Sequence, residues 1–173
     1  MHSHHSPHEP RNASRAGLSR FGSPAFTLIE LLIVVIIVGI LAASAVPLYL
    51  SQAQRARTVE AVAGLGSVRH EQDAYFAENS AYLAVQPGNI SNRPDQSPPG
   101  LGLDFGNSAY FGNACFSVTL HADHNYIARA NGGAEGNDAP RASEVADTIV
   151  EMRGRGGQVR YSYDGGSTFT DWR

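Results

Sequence analysis

Lysine is absent from this 173-residue chain, and its thirteen basic residues are all arginine. Sixteen acids bring the formal charge to −3. No basic excess exists to release counterions from phosphates, which excludes a nucleic-acid binder of that kind. A single cysteine, Cys115, excludes an internal disulfide framework and any multi-cysteine zinc site. Charged residues are only 17% and hydrophobic residues 42%, so the chain is neither disordered nor wholly membrane-embedded. Its length fits one modest domain, or one domain plus an anchoring segment.

Charge is missing altogether from residues 31–54, and Leu31 to Ala43 reads LLIVVIIVGILAA without a polar side chain. As a helix, these 24 residues span about 36 Å, enough for a hydrocarbon core of about 30 Å. Each Leu, Ile or Val at the centre contributes roughly −0.3 to −0.6 kcal/mol to insertion. The alternative, a buried core helix, seldom exceeds about 14 wholly apolar residues. Arg11, Arg15 and Arg20 lie upstream, Arg55 and Arg57 downstream, so the positive-inside count does not decide orientation. The short tail upstream and the foldable chain downstream favour an N-terminus on the cytoplasmic side.

A cleaved secretory signal has a 7–15-residue apolar stretch before small residues, and Ala42, Ala43, Ser44 and Ala45 offer such sites. Glu30 argues against it. A carboxylate at the start of the run weakens insertion unless something compensates, and an ordinary signal has no use for one.

The string Phe26-Thr27-Leu28-Ile29-Glu30-Leu31-Leu32, followed by an apolar helix, resembles the N-terminus of type IV pilins and pseudopilins. Counted from Phe26, Glu30 is fifth and Pro47 twenty-second, as in that family. Beyond about 25 residues the resemblance is architectural, with a looser similarity in Gln72–Tyr82, QDAYFAENSAY. It implies that a prepilin peptidase removes residues 1–25 as a leader by cutting between Ala25 and Phe26, then methylates the Phe26 amine. The family usually has Gly before the cut, where this chain has Ala25. A cut after Gly22 instead would break the register of Glu30. His2, His4, His5 and His8 look metal-like by composition, but fall in the implied leader.

Such cleavage places an ammonium one helical turn from Glu30, on the same face. A buried carboxylate paired with that ammonium, its own or a neighbour's, is tolerated where a lone one is not. Glu30 is thus expected to set the axial register between subunits, and it also suits the helix dipole. Pro47 removes one backbone hydrogen bond, which predicts a bend or local unwinding. Gly39, Ala42, Ala43 and Ser44 let helices approach closely in lipid.

The helix is expected to run from Phe26 to about Asn79, with residues 26–50 forming the transmembrane or filament core and 51–80 an amphipathic second half. In that half Val62, Leu65, Val68, Gln72 and Tyr75/Phe76 recur at three- or four-residue steps. Gly64 and Gly66 cost about 1 kcal/mol each in a helix interior, so packing must offset them. Residues 81–173 hold a loop region and a head. Proline, glycine, Asn and Ser break periodicity over 86–114. Alternation then predicts strands at Phe116–Leu120, Tyr126–Ala130, Thr148–Arg153, Val159–Tyr163 and Thr168–Trp172. Gly154-Arg155-Gly156-Gly157 reads as a hairpin turn. The expected fold is α+β: a long N-terminal helix whose second half packs on a small antiparallel sheet.

Other motifs carry less. Asp123-His124-Asn125 and Gly136-Asn137-Asp138 offer oxygens of the kind Ca²⁺ takes, but without EF-hand spacing, and turn chemistry explains both. His70, His121 and His124 have no accompanying nucleophile and read as solvated side chains. Cys115 reads as a small buried apolar residue. The Arg153-Gly-Arg-Gly-Gly stretch reads as a turn rather than an RNA-binding segment.

The expected function is structural, with no catalytic residue and no cofactor. The chain reads as a subunit of a type IV pilus-like filament, made as a single-pass precursor in the bacterial inner membrane. Its expected partners are further copies, minor pilins, prepilin peptidase and an inner-membrane assembly platform. Two rivals stay open: a type II secretion pseudopilin, and a binding domain on an uncleaved anchor.

Overall fold

The structure, a computed structural model, describes residues 26–122, 125–154 and 156–172. Two compact units divide between Ala43 and Ser44, and one helix, α1 (Leu28–Asn79), supplies residues to both. Among the described residues of the first unit α1 is the regular structure, and its apolar side chains there are exposed. The helix is long and apolar enough to cross a membrane. It begins two residues later than the sequence predicts, because Thr27 caps it.

In the second unit α1 runs through Pro47 without interruption, so the predicted unwinding does not occur there. A proline removes one bond of the ladder, and the bonds on either side still hold the turn. The buried side of the helix carries Thr58, Ala61, Gly64, Leu65, Val68 and Gln72. These share one face at three- and four-residue steps, as an amphipathic helix requires. The helix ends where Ser80 takes a left-handed conformation (φ 55°) and donates its N–H to the Phe76 carbonyl at 2.8 Å.

Five antiparallel strands follow in chain order across the sheet: β1 (Phe116–Leu120), β2 (Tyr126–Asn131), β3 (Ile149–Arg153), β4 (Gln158–Ser162) and β5 (Thr170–Asp171). Alternation decides the faces. Phe116, Val118, Tyr126, Ala128, Ala130, Val150 and Met152 are buried in one core with Leu65 and Val68 of α1. Each large apolar side chain so buried stabilises the fold by about 1.5–3 kcal/mol. The α+β arrangement is therefore as expected, a long helix with a small antiparallel sheet packed on it.

Gly64 explains how helix and sheet meet. A Cβ there would lie 2.5 Å from Cζ of Phe116, so glycine is what lets that ring sit against the helix. Gly66 faces open space, and nothing in the packing offsets its cost.

β1 keeps its predicted bounds, and those of the other strands shift by one or two residues. The largest change is β5, which spans only two residues. Asp164 ties the preceding turn to itself, accepting the Thr168 N–H at 3.0 Å and the Thr168 hydroxyl at 2.6 Å. Thr168 is thereby held in the turn rather than in the strand.

The long segment between α1 and β1 is fastened by polar side chains. Buried Gln72 grips Leu83 with both ends of its amide, donating to the carbonyl at 2.6 Å and accepting the N–H at 3.0 Å. The Glu60 carboxylate accepts three successive backbone N–H groups, from Ala109 at 3.1 Å and from Tyr110 and Phe111 at 2.8 Å each. A run of such donors is a nest for an anion. Val85 forms a single bridge with Val118 and extends the edge of β1.

Candidate functional site: the N-terminal segment

Phe26 and Thr27 precede the first helical residue. Thr27 is the N-cap. Its hydroxyl accepts the Glu30 N–H at 3.3 Å, and its carbonyl receives the N–H groups of Glu30 and Leu31. Thr27-x-x-Glu30 is a capping-box spacing. The pattern is local to the sequence, where Glu30 otherwise reads as a partner for an amine and as a charge suited to the helix dipole. Glu30 also lies in the first turn, where the helix dipole favours a carboxylate. Ala25, the residue before the implied cut, and the leader histidines lie outside the described residues.

Phe26 is 75% exposed, and its neighbours follow suit. Seventeen large apolar side chains between Phe26 and Leu50 are exposed. Leaving that much hydrocarbon in water costs on the order of tens of kcal/mol, taking about 1 kcal/mol or more for each half-exposed residue. A monomer in water does not sustain such a surface. Lipid or other apolar helices must cover it. Pro47 and the small residues Gly39, Ala42, Ala43 and Ser44 all lie along this exposed stretch. A Cβ on Gly39 would meet nothing within 4 Å, so no contact within the chain demands glycine there.

The remaining candidates resolve as structural groups. Asn137 Oδ1 accepts the Gly112 and Ala139 N–H groups at 3.1 Å each. Asp138 Oδ1 accepts the Asn113 N–H, also at 3.1 Å. Both side chains brace the segment before β1. Among the described residues no group of three or more His, Cys, Asp or Glu is placed to hold a metal. Asp123, His124 and Arg155 lie outside the described residues. His70 and His121 are exposed. Cys115 is buried as expected, and that burial pushes its thiol up to about 12.

One polar constellation was not anticipated. On the sheet face away from the helix, Glu151 of β3 stands directly between Arg129 of β2 and Arg160 of β4. Its carboxylate is buried, accepts from Arg129 Nε at 2.8 Å and Arg160 Nε at 2.8 Å, and forms ion pairs with both guanidiniums. Burial raises this carboxyl, but the two arginines outweigh it and hold it below the usual glutamate value. The triad fastens three strands together rather than forming a reactive centre.

The site is thus the exposed apolar stretch of α1 from Leu28 to Leu50, capped by Thr27 and carrying one acid in its first turn. Such a segment is built to enter lipid or a bundle of its own kind. Residues 22–46 match the family described as the prokaryotic N-terminal methylation motif. The N-terminal segment is therefore a prepilin-type motif, and the chain is pilin-like in this motif and in its fold. Its relatives divide between two systems. It is 37% identical over 71 residues to the type II secretion system core protein G of Pseudomonas aeruginosa, covering 41% of this chain and 50% of that protein. It is 42% identical over 67 residues to the type IV major pilin protein PilA of Myxococcus xanthus, covering 38% of this chain and 30% of that protein. The core protein G of Aeromonas hydrophila is 31% identical over 75 residues, 42% of this chain and 52% of that protein. The match spans about half the length of the secretion proteins and less of the pilin. No solved structure matches the chain.

Proposed function

We propose that this protein is a structural subunit of a type IV pilus-like filament. A prepilin peptidase cuts between Ala25 and Phe26 and methylates the Phe26 amine. The helix is retained, and copies assemble through it, with minor pilins and an inner-membrane assembly platform as the other partners. The precursor crosses the inner membrane once with its N-terminus in the cytoplasm. The supporting observation is the methylation motif joined directly to a helix whose apolar side chains are exposed from Leu28 to Leu50. Glu30 is matched by a Phe26 ammonium and fixes the register between neighbours. Pro47 belongs to the same assembly face. The role is structural and calls for no catalytic residue, cofactor or Ca²⁺.

A second reading has its own support. The similarity to core protein G, over about half of that protein in two species, favours a pseudopilin in a periplasmic assembly. Electron microscopy of surface-sheared material, from cells with and without the gene, separates the readings. Filaments that disappear with the gene support the pilus. Loss of protein secretion without any change in surface filaments supports the pseudopilus. A cell that loses neither contradicts both, and leaves a binding domain on a plain anchor.

Glu30→Ala gives a finer test. The variant should enter the membrane as before and fail to polymerise. Normal filaments from it would remove Glu30 from the mechanism.

A further inference from the structure

The second unit carries an open groove of about 480 Å³ between α1 and the end of the sheet. Arg55, Ala56 and Val59 form its helix side, and Tyr161, Asp171 and Trp172 its sheet side. Tyr161 and Trp172 meet edge to face, with ring centroids 5.6 Å apart. Aromatic walls, an apolar floor and one charge of each sign make this a recognition groove rather than a gap in packing.

An exposed turn with its own pair of opposite charges lies elsewhere on the surface of the same chain. Residues 93–98, Arg-Pro-Asp-Gln-Ser-Pro, are exposed and project as a turn with Pro94 and Asp95 at its tip. The turn is held rigid. Gln96 donates its N–H to the Arg93 carbonyl at 3.1 Å, and its side-chain oxygen accepts the Arg93 N–H at 2.7 Å. Asn92 Nδ2 donates to the Pro98 carbonyl at 2.9 Å. A segment ordered beforehand loses little entropy on docking.

Charge selects the occupant. The groove presents Arg55 and Asp171, and the turn presents Arg93 and Asp95 on either side of Pro94. None of the four takes part in an ion pair among the described residues. We infer that the groove receives the Arg93–Pro98 turn of a second copy, with Asp95 toward Arg55 and Arg93 toward Asp171. The two patches are different surfaces of one molecule, so the contact is heterologous, the kind of contact that a filament repeats. Complementary charges at such a contact fix partner and register more than they add affinity. The inference rests on the filament reading and adds a contact between heads to the contact between helices.

The test is made on the full chain in its own cells. Ser97→Cys combined with Thr170→Cys, which leaves all four charges in place, should give, on oxidation of sheared filaments, a ladder of cross-linked copies that reduction collapses. Arg55→Asp alone and Asp95→Arg alone should each lower filament yield about tenfold, as loss of one such contact would. The two together should restore it. Both sites are exposed, and neither side chain is engaged in the fold, so misfolding does not imitate the result. Normal filaments that give no ladder and ignore the single reversals overturn this inference and leave the filament reading standing. A cross-link to a different protein overturns it as well. Absence of filaments from the unmodified chain overturns the filament reading itself.

Discussion

Glu60 Oε1 accepts the backbone N–H of Tyr110 at 2.8 Å, across fifty residues of chain. With the adjoining bonds to Ala109 and Phe111, this pins the segment before β1 to α1. Glu60→Gln keeps the shape but replaces one acceptor with a donor that faces N–H groups. It should cost about 1–3 kcal/mol, the penalty for buried groups left unmatched. Chemical denaturation of the detergent-solubilised chain, followed by tyrosine and tryptophan fluorescence, measures it. A midpoint unchanged from the parent would mean that the loop holds without this clamp.

The two helical glycines of the second unit should respond in opposite directions. Gly64→Ala drives a methyl to within 2.5 Å of the Phe116 ring and should destabilise by about 1–3 kcal/mol. Gly66→Ala meets nothing and should stabilise by up to about 1 kcal/mol. Paired thermal melts give both signs in one experiment. Equal shifts for the two variants would contradict the packing of Phe116 against Gly64.

Acid should loosen the sheet through Glu151. Its folded carboxyl titrates below the ordinary value of 4.5, so below that pH the unfolded chain binds the extra proton first. The stability this group adds is complete above the ordinary value and is lost as pH falls through the folded one. Glu151→Gln should be less stable than the parent at pH 7 and should flatten the decline as the pH falls below the ordinary glutamate value of 4.5. Melting curves across that range decide it. Parallel pH profiles for parent and variant would assign the acid sensitivity elsewhere.

Cys115 should be inert in the folded protein. Burial lifts its thiol to about 12, and only the thiolate is nucleophilic. An alkylating reagent at pH 8 should label it only after denaturant is added. Rapid labelling of the native chain would show that the site opens.

Much of this fold was legible because its signals are local. The apolar run from Leu31 to Ala43 announced itself by composition. Phe116, Val118 and Leu120 alternate as a strand does, and Gly154 to Gly157 turn β3 into β4 with Gly157 at φ 61°. The polar fastenings were not legible. Glu60 sits where an amphipathic helix is expected to carry a solvated charge, and its partners lie about fifty residues on. Gln72 fell within the apolar stripe by spacing, yet its use is a grip on Leu83 rather than hydrophobic packing. Glu151 meets Arg129 and Arg160 only once three strands are in register. Periodicity records which face a residue occupies, and says nothing of what another segment brings to that face. The capping of the helix by Thr27 was the exception, since its partner is three residues away and the pattern was in plain view.

The account depends most on the fate of the N-terminus. Intact-mass and N-terminal peptide mass spectrometry of the protein from its native cells reads it directly. The prediction is a chain that begins at Phe26, carries one added methyl on its amine, and keeps the whole of α1. A chain that still begins at Met1, or one cut near Ala45 with the apolar helix gone, would contradict it.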